Sequence, residues 1–63
     1  MGTTGTESRE VYFEFITIGR QVKVTAIDAA TGLEVSVIGP THANAGDLER
    51  LALLKLQAQL KGR

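Results

Sequence analysis

The stretch Gly19-Arg-Gln-Val-Lys-Val-Thr-Ala-Ile-Asp-Ala-Ala-Thr-Gly-Leu-Glu-Val-Ser-Val-Ile-Gly-Pro40 decides the fold. It holds two strands and both of the turns that set their register. Val22, Val24 and Ala26 alternate with Lys23 and Thr25, the period of a strand with one face buried. Gly19-Arg20 is a two-residue connection whose leading glycine suits a type II′ hairpin turn, which needs positive φ at that position. Asp28-Ala29-Ala30-Thr31-Gly32 is a second turn. Asp28 can accept from backbone amides two or three residues on, and Gly32 can take the left-handed conformation, so a type I turn closed by a glycine bulge is expected. Strand three is expected over Leu33 to Ile38, with Gly39-Pro40 ending it because proline cannot donate to a ladder.

Working outward, Glu10 to Ile18 is rich in β-branched and aromatic residues and reads as the first strand. After the loop Thr41 to Gly46, the segment from Leu48 to Lys61 lacks glycine and proline and is full of strong helix formers. Asp47 is the natural N-cap, with Asn44 as a competitor. Glu49 near its start and Lys61 near its end suit the helix dipole. The expected fold is therefore α+β: a three-stranded antiparallel meander followed by one C-terminal helix on one face, βββα. Residues 1–8 are Gly/Thr-rich and polar and read as a disordered tail, leaving residues 9–63 as a single domain.

The turns place every strand residue on a face. Ile18 pairs with Gln21, Phe15 faces Val24, Phe13 faces Ala26, Asp28 pairs with Leu33, Ala26 faces Val35 and Val24 faces Val37. The helix must then cover Val11, Phe13, Phe15, Val22, Val24, Ala26, Leu33, Val35 and Val37. The other face carries Tyr12, Glu14, Ile16, Ile18, Lys23, Thr25, Ile27, Glu34, Ser36 and Ile38. Tyr12 and four isoleucines are too apolar for a plain solvent face. Scattered surface isoleucines are one account, and a partly apolar contact surface is the other.

The helix repeats the surplus. Leu48, Ala52, Leu53, Leu56 and Leu60 span one broad side, Leu51, Leu54 and Ala58 another, and Arg50, Gln57 and Lys61 form the polar strip. One sheet covers one stripe, so either Leu53 and Leu60 or Leu51 and Leu54 are left over. The first strand is also a sheet edge, open to a partner strand, with Glu14 as a gatekeeper.

Composition narrows the function classes. A chain of 63 residues allows one marginal domain, and such domains commonly need a disulfide, a metal or a partner. There is no cysteine, and the lone His42 cannot build a zinc site without several carboxylates beside it. Oligomerisation is the reinforcement that remains. Seven Lys+Arg balance seven Asp+Glu, whereas proteins that live on phosphate backbones usually carry a basic excess. No stretch approaches the roughly 18 apolar residues of a membrane helix. Met1 to Thr6 has neither the basic start nor the apolar run of a signal peptide. Gly2 with Thr6 loosely matches a myristoylation pattern that lacks a second anchor. The expected location is the cytoplasm.

No phosphate-binding loop or nucleotide fingerprint is present. Ser36, His42 and Asp47 can be written as a triad, but no strained elbow surrounds Ser36. Glu14 and Glu34 are separated by strand two, too far for a carboxylate pair. No catalytic residue, cofactor site or metal site is assigned. The expected three strands and helix resemble, in architecture only, plant AP2/ERF and methyl-CpG-binding domains, whose sheets enter the DNA major groove. Their readers need Arg and Trp on the exposed face, and here Lys23, Arg20 and two glutamates stand there.

The stretch from Gly19 to Pro40, with Val22-Lys-Val-Thr-Ala-Ile-Asp28, Thr31-Gly-Leu-Glu-Val35 and Gly39-Pro40 before an Ala/Leu-rich helix, resembles a family of short bacterial proteins of unknown function. The resemblance covers most of residues 9–61. It implies a bacterial single-domain protein and supplies no catalytic residues. A serine hydroxymethyltransferase label borne by some members does not transfer, because neither Lys23 nor Lys55 has the setting of a Schiff-base lysine in a large fold. The expectation is a non-catalytic, homo-oligomeric interaction module, a dimer, contacting through Tyr12, Ile16, Ile18, Ile27, Ile38, Leu53 and Leu60. The alternatives are an adaptor for another protein and, last, a β-sheet nucleic-acid binder.

Overall fold

The computed structural model describes residues 10–62. The expected polar tail over residues 1–8, and Gly2 within it, lie outside them. Three strands, β1 (Val11–Ile18), β2 (Gln21–Asp28) and β3 (Glu34–Pro40), precede one helix, α1 (Ala45–Lys61). The sheet is antiparallel in the order β1-β2-β3. This is the βββα fold expected from sequence.

The register is also as expected. Ile18 stands opposite Gln21, Phe15 opposite Val24 and Phe13 opposite Ala26, and Ala26 faces Val35 while Val24 faces Val37. Its causes are local. Gly19 has φ +61°, and Arg20 does not share a positive φ, so the first hairpin turn is type II′. Gly32 has φ +78°. Its N–H donates to Asp28 O at 2.7 Å, four residues back. The second loop thus closes as an α-turn, one residue wider than the expected type I turn. Asp28 organises it: Oδ2 accepts from Thr31 N at 3.0 Å and from Thr31 Oγ1 at 2.8 Å, and the carboxylate is fully buried.

Two element ends differ from expectation by more than one residue. β3 runs through Gly39 and Pro40 rather than stopping at Ile38. Asp28 N donates to Leu33 O, and Thr41 N donates to Arg20 O. Odd-numbered residues of β3 therefore bond to β2, and even-numbered ones point their backbone groups away. The N–H that Pro40 lacks would have faced the open edge, where proline costs no ladder bond. The helix starts at Ala45, not Leu48, because Asn44 is the N-cap. Its Oδ1 accepts from Gly46 N at 2.8 Å and Asp47 N at 3.2 Å. Asp47 then sits inside the first turn, where its charge favours the helix dipole.

The core is a single cluster of Val24, Ala26, Val35, Leu48, Ala52 and Leu56, with Val11, Phe13, Val22, Leu33, Val37, Ala43 and Leu60 packed around it. The helix lies over β2 and β3. Leu48 at its start presses on Gly39, and a β-carbon added there would come within 2.7 Å of Leu48 Cδ2. Phe15, expected in the core, is 46% exposed. A helix about 10–12 Å across covers about two strands spaced 4.8 Å apart, so on the inner side of β1 Val11 and Phe13 still pack at the margin of the core while Phe15 stands outside it.

Candidate interaction surface

The surface of interest is the side of the sheet away from the helix, together with β1 as a whole. Strand alternation puts Tyr12, Ile27 and Glu34 on one rung, Glu14, Thr25 and Ser36 on the next, then Ile16, Lys23 and Ile38, then Ile18, Gln21 and Pro40. Tyr12 is 55% exposed, Ile16 38%, and Ile18 and Ile38 62% each. Ile27 in the central strand is half-buried. Ile16, Ile18, Ile38 and Pro40 gather at the Gly19-Arg20 end, where Lys23 is half-buried between two isoleucines.

A polar rung divides this apolar patch from Tyr12. Thr25 Oγ1 and Ser36 Oγ hydrogen-bond each other at 2.8 Å. Ser36, one member of the triad written from sequence, is thereby engaged in a sheet contact, while His42 and Asp47 are exposed elsewhere, in a loop and on the first turn of α1. Tyr12 OH donates to Glu10 Oε1 at 2.9 Å. That bond, with the carboxylate's negative charge, holds the phenol above the usual tyrosine range.

The helix is rotated so that Leu48, Ala52 and Leu56 meet the sheet. Lys55 lies to one side and its Nζ donates to Ser36 O at 2.8 Å. By the alternation of β3, that carbonyl is on the strand's open edge. Of the leucines expected to be left over, Leu60 packs on the core and Leu53 is half-buried, while Leu51 and Leu54 stand 53% exposed. The expected interface named Leu53 and Leu60, whereas the outermost leucines are Leu51 and Leu54; periodicity offers both pairs, and the choice depends on which side of the helix the sheet occupies.

Among the described residues, no three His, Asp or Glu side chains converge as a metal-binding set, and no buried side-chain nitrogen or oxygen lacks a partner. An open depression on the outer side of α1 is lined by Leu54, Gln57, Ala58 and Lys61. Its lining comes from a single helix surface and brings no set of reactive groups together. No described helix is long and apolar enough to cross a membrane. What the site has to offer chemically is apolar contact and unpaired strand backbone.

Fold and surface together define a small α+β domain, a three-stranded meander capped by one helix, with an apolar sheet face left open. The chain belongs to a family of domains of unknown function, DUF6898, whose model matches residues 8–63. No curated protein and no solved structure gives a match.

Proposed function

We propose that this protein is a non-catalytic interaction module that works as a homodimer. The observation that carries the reading is the set of large apolar side chains left exposed on the sheet: Ile16, Ile18 and Ile38 together on the outer face, Tyr12 beyond the polar rung, and Phe15 on the helix side of β1. Five such residues on so small a domain exceed scattered exposure, and four of them lie on one strand. A core of six buried apolar residues leaves a 63-residue chain with modest stability of its own, which association would supplement. Nucleic acid binding has less support, because Glu14 and Glu34 share the open face with Lys23. We place the protein in the cytoplasm, a compartment that suits a chain without cysteine.

Sedimentation equilibrium and light scattering between roughly 1 and 100 μM, a range set by the affinity expected of a small interface, test the proposal. A dimer whose melting temperature rises with concentration is the expected result. Ile16→Glu should shift the equilibrium to monomer while leaving the circular dichroism spectrum intact. A strict monomer with a concentration-independent melting temperature would overturn the reading.

A further inference from the structure

We infer that two copies join antiparallel along β1 into one six-stranded sheet, with Phe15 on the two-fold axis. This rests on the self-association proposed above and adds the surface and the register. The two edges of the sheet are built differently. On β3, Lys55 Nζ occupies the outward carbonyl of Ser36, and Pro40 has no N–H to offer an incoming strand. Both are recognised ways of blocking an edge. On β1, Ala29 N donates to Glu10 O. Even-numbered residues therefore bond to β2, and Val11, Phe13, Phe15 and Thr17 turn their N–H and C=O groups outward. Among the described residues nothing bonds them. β1 pairs with β2 without a bulge from Val11 to Ile18 and contains neither proline nor lysine. It also carries exposed apolar side chains on both sides, Phe15 toward the helix layer and Tyr12, Ile16 and Ile18 away from it.

Charge selects the register. Antiparallel self-pairing that keeps most of the strand in the ladder centres on Phe13, Glu14 or Phe15. Centring on Glu14 sets that carboxylate against its own symmetry mate, a repulsive arrangement. Centring on Phe13 puts Glu14 opposite Tyr12 of the second copy and leaves Ile18 outside the ladder. Centring on Phe15 sets Tyr12 against Ile18 of the second copy, the two most exposed apolar residues of the strand. It also sets Glu14 against Ile16 of the second copy, and Ile16 stands beside Lys23 on its rung. Each Glu14 then lies two strands, about 9.6 Å, from a lysine on the same face, within the joint reach of the two side chains. Symmetry supplies this pairing twice. A second copy paired here would cover part of the exposed surface of Tyr12, Phe15, Ile16 and Ile18, a small interface by the standards of stable complexes.

The chain has no cysteine, so a single-cysteine scan reads the axis directly. Across the two-fold of a hydrogen-bonded pair the Cα atoms lie about 5.5 Å apart, inside the range of a disulfide. Phe15→Cys should cross-link at least roughly tenfold faster than Leu54→Cys on the outer side of the helix, an effective-concentration effect. Faster cross-linking of Phe13→Cys or Glu14→Cys would overturn the register. If none of the three outpaces Leu54→Cys while the native chain sediments as a dimer, the β1 surface is wrong and self-association stands. A monomeric native chain removes both. Charge reversal gives a second reading that does not depend on cysteine. Glu14→Lys and Lys23→Glu should each weaken the homodimer, and an equimolar mixture of the two variants should prefer the heterodimer by roughly fivefold to thirtyfold. Rescue within one chain cannot produce that preference. A statistical mixture would overturn the pairing.

Discussion

Replacing Gly39 by alanine should destabilise the fold through a collision with one named side chain. Gly39 lies on the inner side of β3 opposite Val22 and has no positive φ, so its backbone tolerates alanine. The obstacle is Leu48. An added β-carbon would stand 2.7 Å from Leu48 Cδ2 and 3.1 Å from Cδ1, where contact distances for carbon begin near 3.5 Å. Leu48 is only 7% exposed and must shift by most of an ångström within the packed layer. Overpacking of this kind costs about 1–3 kcal/mol, and the reduced freedom of the unfolded chain returns about 0.4–1 kcal/mol. The net loss is about 1–2 kcal/mol. With an unfolding entropy of about 2.1 cal/mol/K per residue over the 63 residues, each kcal/mol lowers the melting temperature by about 7–8 °C. Thermal unfolding at fixed protein concentration should therefore show a drop of about 8–15 °C. The cause is checked by a double-mutant cycle with Leu48→Ala, which removes both Cδ atoms. The double variant should be more stable than the sum of the single losses requires, by about 1 kcal/mol. Strict additivity, or a neutral Gly39→Ala, would refute the packing account.

Three further outcomes follow from the local geometry. Asn44→Ala removes the acceptor of the Gly46 and Asp47 amides and should cost about 1 kcal/mol in denaturant unfolding with an unchanged m-value, whereas Asp47→Ala, at an exposed position inside the first turn, should cost less. Lys55→Met frees the Ser36 carbonyl on the β3 edge; stability should change by about 0.5–1 kcal/mol or less, while sedimentation should reveal species larger than the dimer. The single tyrosine allows a clean absorbance titration. Tyr12 should ionise above the ordinary tyrosine range because Glu10 accepts its proton-bearing hydroxyl, and Glu10→Gln should bring it back. Since the folded value is raised, the small stabilisation from this bond is present below the ordinary tyrosine value and lost as pH climbs through the folded one.

The element sequence and the strand register were legible because they depend on neighbours in the chain. Among the described residues Gly19 and Gly32 are the two positions with positive φ, and both were readable as turn glycines from the residues beside them. The loop Asp28–Gly32 proved wider than expected, since the reach of the Gly32 N–H to Asp28 O is a backbone detail that side-chain identity barely constrains. The start of the helix turned on Asn44 against Asp47, two capping residues of similar strength three positions apart. At Gly39-Pro40 the stop signal was overridden because that edge requires no hydrogen bond from proline.

The residues at the candidate surface divide in the same way. Tyr12, Ile16, Ile18 and Ile38 follow from alternation and register alone, which need only the chain's own order. Phe15, Leu51, Leu53, Leu54 and Leu60 do not. Their exposure depends on where the helix axis lies over the sheet and how the helix is rotated about it, and both are set by contacts between residues distant in sequence: Leu48 seated on Gly39, Ala52 and Leu56 buried against the sheet, Lys55 held at the Ser36 carbonyl. Local chemistry determined which side chains share a face. Only the tertiary packing decided which faces one helix, too narrow for three strands, leaves open on β1.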